Sequence, residues 1–417
     1  MVHDDVADDD VADDDVTLGG ATYDDVTHDD ATQYDAPYFR GLPSNRWEVG
    51  PEISRDQVAS ILSEAAYSFP VRHVTGVVRY DGAQVASNIP CEDQFIHDKF
   101  PSPWNDGNYW MTWGIFDGHM GCQTVVFLRE ILLPFVRHSL CQLRPRSGEE
   151  IVPEELVQDA IMQGFVKLDD SIIKEAYYMC QREETLPVKV KKLAPAFSGS
   201  CALLSTCYNG SEVARILNEH PGEEYIVGNG RVLGLGVSRA FGDCQWKWPI
   251  DFQKEVQQRF YGPVPTRAVQ TPPYLTAEPI VTSTKIDPES PSFLIMATDG
   301  LWGLVSSEQA VNLVGRWLES GAPGKGTDPE PTYEPFDFGP FWKDMDWKFV
   351  EERETVQDDN AAVHLLRNAL GGNHHEMIAG RLAFDHPSSR RVLDDMAVQV
   401  VFFNNDGIES KIISSDT

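Results

Sequence analysis

The chain has 417 residues, 41% of them hydrophobic, and a formal net charge of −31. That length and apolar content allow a large core, in one big domain or two smaller ones, and the charge excludes nucleic acid and anionic membrane as principal partners. The 7 cysteines are scattered, odd in number and without a Cys-x-x-Cys pair, which argues against a zinc site or disulfide framework and for a reducing, intracellular compartment.

In chain order, residues 1–45 read as a solvated acidic tail, with a near-repeat from Asp4 to Asp15 that repels itself and has little to bury. No Lys or Arg precedes Arg40, unlike an Arg-rich mitochondrial transit peptide. The folded region is expected over 46–405, beginning near Trp47, with a short tail over 406–417. Ser54 to Gln57 looks like a capping box, followed by Val58, Ile61, Leu62, Ala65 and Ala66 at helical spacing. Val74 to Tyr80 and Gln94 to Ile96 predict strands flanking a glycine-containing turn, and Tyr109 to Phe116 a buried strand. Val125, Val126, Leu128, Leu132 and Leu133 mark a helix after Gly121. Pro153 opens another, with Leu156, Ala160, Ile161, Phe165, Leu168 and Ile172 on one face. Cys201 to Tyr208 and Phe293 to Ala297 predict strands, and Ser306 caps a helix carrying Val311, Val314, Trp317 and Leu318. A Gly, Pro and acid-rich loop from Gly321 to Glu334 belongs to an insert over about 320–360, and Met396 to Phe403 is the last strand. The apolar run Ile131 to Val136 contains Pro134 and is too short to span a membrane, so no integral membrane segment is expected. Strands and helices mix without a strict βαβ rhythm, which favours a layered α+β fold.

Four acids, Glu92, Asp117, Asp299 and Asp394, stand at the edges of strand-like segments far apart in the chain. Carboxylates gathered at strand ends can hold hard cations such as Mg2+ or Mn2+, and a neighbouring His119 can move a proton. Each acid also has a plainer reading. Glu92-Asp93 alone is an exposed acidic pair; if one side chain faces a metal, its neighbour points away on an extended chain and supports from behind. Asp117-Gly118-His119 reads either as such a site, with Gly118 turning sharply to offer its carbonyl, or as a turn whose acid caps the next helix. Asp299-Gly300 and Asp394-Asp395 are turn acids when taken singly.

The order of the segments adds what none carries alone. A strand ending Asp117-Gly118-His119, then Ser238 to Asp243, then a strand ending Asp299-Gly300-Leu301-Trp302, then Asp394-Asp395 opening a strand, resembles the metal-dependent protein phosphatases of type 2C from about Trp47 to Phe403. Asn88, four residues before Glu92 where most of that family carries a phosphate-gripping Arg, resembles the pyruvate dehydrogenase phosphatase branch. So do Glu212 to Arg215, His220-Pro221, Val232 to Leu235, Tyr274 to Pro279 and His364 to Gly372. The resemblance implies a four-layer α-β-β-α sandwich of two antiparallel sheets flanked by helices. It also implies a serine/threonine phosphatase acting on a phosphorylated protein, with pyruvate dehydrogenase E1 alpha as the subfamily's substrate and mitochondria as its location. Two Mg2+ or Mn2+ ions would share Asp117; Asp299 and Asp394 would complete one site, and Glu92 and the Gly118 carbonyl the other. A metal-bridging hydroxide would attack phosphorus directly, His119 would protonate the leaving oxygen, and Asn88 would bond a phosphate oxygen. Asp93 and Asp395 would support from behind, and Ser238 to Asp243 would be structural.

The chain departs from the family's pattern at Gly303, where an Asp is usual, and at Met120, where a small residue is usual. It also runs from Asn209-Gly210 straight into a helical stretch, where the family has further core strands. A core strand pair after Tyr208 is therefore expected to be missing, leaving the Cys201 to Tyr208 strand without a neighbour. Weakened turnover, or a pseudophosphatase that binds phosphoprotein or a partner, is the alternative expectation. A nuclease would want a basic face that this acidic chain lacks.

Overall fold

Alternation along the apolar strands builds two sheets that share one interior. The computed structural model describes residues 53–71, 76–102, 109–143, 152–204, 227–228, 231–265, 269–284, 286, 292–320 and 349–403, all within a compact unit over 51–417. The strands are β1 (Tyr67–Pro70), β2 (Val77–Val85), β3 (Gln94–Pro101), β4 (Tyr109–His119), β5 (Gly199–Leu203), β6 (Val227–Gly228), β7 (Arg231–Val232), β8 (Phe241–Gly242), β9 (Phe293–Ala297) and β10 (Met396–Phe403). One antiparallel sheet has the order β1-β2-β10-β9 and the other β3-β4-β5-β8, while β6 and β7 form a separate pair.

Tyr80, Met296, Ala397 and Val401 from the first sheet pack with Trp113 and Ile115 from the second in one buried cluster. On β4 this inner set continues by the two-residue period to Asp117 and His119, while Phe116 faces the outer core. The helices are α1 (Arg55–Ser63), α2 (Gln123–Cys141), α3 (Glu154–Gln181), α4 (Leu186–Phe197), α5 (Cys244–Lys247), α6 (Ile250–Phe260), α7 (Asp299–Trp302), α8 (Ser307–Glu319), α9 (Ala361–Leu370) and α10 (His375–Leu382). Helices α2, α3 and α4 cover the outside of the β3-β4-β5-β8 sheet through Leu128, Leu132, Phe165, Leu168 and Leu193. Helices α1, α8, α9 and α10 cover the other sheet through Leu62, Val314, Leu366 and Ile378. The four layers match the expected sandwich. Burying each such side chain contributes about 1.5–3 kcal/mol. The capping boxes at Ser54–Gln57 and Ser306–Gln309 are worth only ~1 kcal/mol each, so packing decides the fold and caps trim it.

Several boundaries differ from expectation. Strands β2 and β3 lie in different sheets, and Gly82 stands inside β2 rather than in a turn between them. A Cβ there would lie 2.2 Å from the Tyr67 ring; the glycine lets that ring cross the strand. Val126 and Val311, expected on apolar helix faces, are exposed, because Thr124, Val125 and Leu128 on α2 and Ala310 and Leu313 on α8 turn inward instead. β5 starts two residues earlier than expected, since Gly199 and Ser200 pair with both β4 and β8. Beyond Ser200, β8 offers β5 no further partner, and a cavity of about 540 Å3 lies against Cys201 to Leu204, Arg239 and Ala277 to Thr282. The expected loss after Tyr208, the segments from Glu212 to Pro221, the acidic tail, Trp47, the Gly321 to Glu334 loop and the 406–417 tail lie outside the described residues.

Candidate active site

Strand register explains how acids some 300 positions apart arrive at one end of the sandwich. In the first sheet, Met396 at the start of β10 pairs with Val85 at the end of β2, and Val398 pairs with Ala297 at the end of β9. The loop carrying Asn88 and Glu92 leaves β2 there, Asp299 leaves β9 there, and Asp394 and Asp395 enter β10 there. In the second sheet, Gln94 at the start of β3 pairs with Phe116, just before Asp117. The Asp299 N–H donates to Asp117 Oδ2 at 3.0 Å, a bond from one sheet's edge to the other's.

Two glycines let the backbones close in. A Cβ on Gly118 would sit 2.2 Å from the Glu92 carbonyl oxygen, and one on Gly300 2.1 Å from that of Asp395. Gly118 is therefore needed for close approach and not for a sharp turn: it stays in β4, paired with Ser200. The turn follows at Met120 (φ 58°) and Gly121 (φ 115°). Met120 is 47% exposed. Asp117 caps no helix, since α2 begins at Gln123 without a side-chain cap.

Glu92 accepts from the Gly121 N–H through Oε1 (2.6 Å) and from Asn88 Nδ2 through Oε2 (3.1 Å). Asp395 is buried and accepts five bonds: from Ser87 N–H and Oγ, from Asn88 N–H and Nδ2, and from the Glu92 N–H, at 2.5 to 3.0 Å. It thus fastens the whole loop that carries Glu92. Asn88 Nδ2 is already shared between Glu92 and Asp395, which leaves it poorly placed to grip phosphate as well. Asp394, at the surface, accepts from Arg390 and from the Asp395 N–H. His119 Nε2 meets both carboxylate oxygens of fully buried Asp243 at 3.0 Å.

Charge is concentrated here. Burial, then the negative charge of Asp299, pushes Asp117 up to about 6. Burial, then Asp117, pushes Asp93 up to about 8. Burial alone would lower the His119 value, but its bond to Asp243, that residue's charge and those of Asp117 and Glu92 hold it above the usual histidine range. Among the described residues no three His, Cys, Asp or Glu side chains form a ready metal-holding group; Glu92 and Asp394 accept from protein donors. The chemistry still fits a hard divalent cation. The donors are oxygens, the crowded Asp117 and Asp299 repel each other, and the buried Asp93 Oδ2 has no partner.

Two participants were not singled out in the sequence. Asp243 lies in the segment read as structural, and Arg390 carried no motif. Asp243 adopts φ 52°, ψ 47° after Gly242, a left-handed conformation that Asp tolerates better than most residues.

The family described as protein phosphatase 2C matches residues 204–330. A protein phosphatase 2C homolog of Schizosaccharomyces pombe is 37% identical over 374 residues, covering 79% of this chain and 81% of that protein. The mitochondrial [pyruvate dehydrogenase [acetyl-transferring]]-phosphatase 1 of Saccharomyces cerevisiae is 32% identical, covering 88% of this chain and 75% of its own. Its Homo sapiens counterpart is 27% identical, covering 84% and 83%.

Proposed function

We propose that this chain, which belongs to the protein phosphatase 2C family of protein serine/threonine phosphatases, works through a site holding Mg2+ or Mn2+ at the end of the sandwich where Glu92, Asp117, Asp299 and Asp394 gather. The observation that carries the reading is the meeting of acids from both sheets beside a histidine backed by a buried carboxylate. Asp117, Asp299 and Asp394 would hold one ion, and Asp117, Glu92 and the Gly118 carbonyl the second. When bound, such ions supply an acidified water and neutralise charge on the phosphoryl group.

The chain's own groups supply the rest. Asp395 orients the Glu92 loop, and Asp93 lies buried beside it, where burial and its neighbours favour the protonated form. With Asp243 accepting from Nε2, the exchangeable proton of His119 resides on Nδ1, and the imidazolium is the form Asp243 favours. That proton serves the departing serine or threonine oxygen. The relatives named as mitochondrial pyruvate dehydrogenase phosphatases point to a phosphoserine of a pyruvate dehydrogenase subunit as substrate, and to mitochondria as the place of action. Purified protein with Mn2+ should release phosphate from a phosphoserine peptide of pyruvate dehydrogenase E1 alpha, and chelation should abolish the release. Absence of turnover on that peptide and on generic phosphoserine and phosphothreonine peptides would sink the proposal. A tagged natural transcript imaged outside mitochondria would remove the location.

A further inference from the structure

We propose that Arg390 is the phosphate-binding cation of this site, an assignment that rests on the phosphatase reading above. A phosphorylated side chain must approach a mouth edged by two exposed acids, Asp299 and Asp394, and a dianion meeting bare carboxylates is repelled. Among the described residues, the lysine or arginine ion pair to any of the four gathered acids is that of Arg390 with Asp394. Asn88 does not fill the role, because its carboxamide nitrogen is spent on Glu92 and Asp395 and it carries no charge.

Position supports Arg390 independently. The adjoining Ser389 is buried and donates its hydroxyl to the Ser87 carbonyl at 2.5 Å. Arg390 is thereby pinned against the loop that bears Asn88 and Glu92, on a short helical turn over Ser389–Arg391. Its side chain is 40% exposed and its partner 47%. An exposed pair at i,i+4 spacing is weak and readily exchanged. A guanidinium presents a planar fork that matches two phosphate oxygens. Arg390 therefore covers Asp394. With Asp394 held as a ligand, Arg390 would turn to the phosphoryl oxygens.

The test compares wild type, Arg390→Ala and Arg390→Lys in three measurements: Mn2+ titration by calorimetry, binding of inorganic phosphate to the Mg2+-loaded protein, and steady-state kinetics on a phosphoserine peptide. Arg390→Ala should weaken phosphate binding about tenfold, as expected for one lost charge-assisted contact. It should raise KM more than it lowers kcat, and leave Mn2+ affinity equal or tighter, since a competitor for Asp394 is gone. Arg390→Lys should recover part of the phosphate affinity. Unchanged phosphate affinity in Arg390→Ala overturns the assignment, as does a parallel loss of Mn2+ affinity, which would make the residue a prop for Asp394. Wild-type protein that binds phosphate through Arg390 yet hydrolyses no phosphopeptide would uphold the assignment and defeat the phosphatase reading. Wild-type protein binding neither Mn2+ nor phosphate would defeat both.

Discussion

Removing the Asp395 carboxylate should loosen the Glu92 loop by a predictable amount. Its Oδ1 accepts from Ser87 N–H, Ser87 Oγ and Asn88 N–H, and its Oδ2 from Asn88 Nδ2 and Glu92 N–H. Bonds to a charged acceptor are worth about 1.5–3 kcal/mol each when kept from water. Asn88 and Glu92 are half-buried and can turn to solvent, whereas Ser87 is 2% exposed and cannot. Asp395→Ala should therefore cost about 3–5 kcal/mol, in the range for breaking a buried charged network. In Asp395→Asn the new amide nitrogen, placed at Oδ2, faces two donors; it forfeits two bonds and keeps three, for about 2–3 kcal/mol. Urea unfolding at neutral pH with a chelator present reads both values. The pH dependence has a definite sign. Burial would raise the Asp395 value, but the N–H donors of Glu92, Asn88 and Ser87 outweigh it and hold it below the ordinary carboxylate range. Its stabilisation is thus fully present above about pH 4 and fades as pH falls through the folded value, so the penalty for the alanine variant should shrink in acid. A loss under about 1 kcal/mol for Asp395→Ala at neutral pH would refute the view that this carboxylate organises the loop.

Asp243→Asn should slow hydrolysis of a phosphoserine peptide by about 100-fold, the scale of general acid catalysis. It should slow p-nitrophenyl phosphate far less, because that leaving group needs no proton; equal losses on both substrates would assign Asp243 a purely structural part. Gly118→Ala forces a Cβ to within 2.2 Å of the Glu92 carbonyl and should cost about 3 kcal/mol or more, as over-packing against rigid backbone does, with a matching fall in melting temperature. Metal-free protein should lose stability as pH rises from about 4 to 8. Asp117 and Asp93 have folded values raised to about 6 and about 8, so the native state holds more protons than the unfolded one across that window. Mn2+ should offset this loss in a thermal-shift series, and a slope of the opposite sign would count against the crowded-carboxylate account.

Local pattern revealed much of the framework. The run from Met396 to Phe403, apolar but for buried Gln399, gave β10 to the residue, because a strand buried on both faces leaves a near-continuous apolar record. The acids were legible as strand-end residues, since each follows or precedes such a run. Pairings across long separations were not. His119 and Asp243 are 124 positions apart, and Asp395 and Ser87 are 308 apart; neither partner's neighbourhood encodes the other. Gly118 was misread for a related reason. A glycine after an acid looks like a turn, and the carbonyl that excludes its Cβ belongs to a segment 26 residues upstream. Arg390 sat among unremarkable polar residues, and only the folded position of Asp394 gives it meaning.

The Asp299–Asp117 bond spans the gap between sheets that share the apolar layer of Tyr80, Trp113, Ile115, Met296, Ala397 and Val401. That layer is, in effect, the hinge pin of the proposed cation site. Trimming a side chain at its centre lets one sheet slide on the other, and a slide well below 1 Å is already large on the scale of metal–oxygen distances. Affinity for the ion is then a sensitive gauge of core packing, able to register a repacked interior before the melting temperature does.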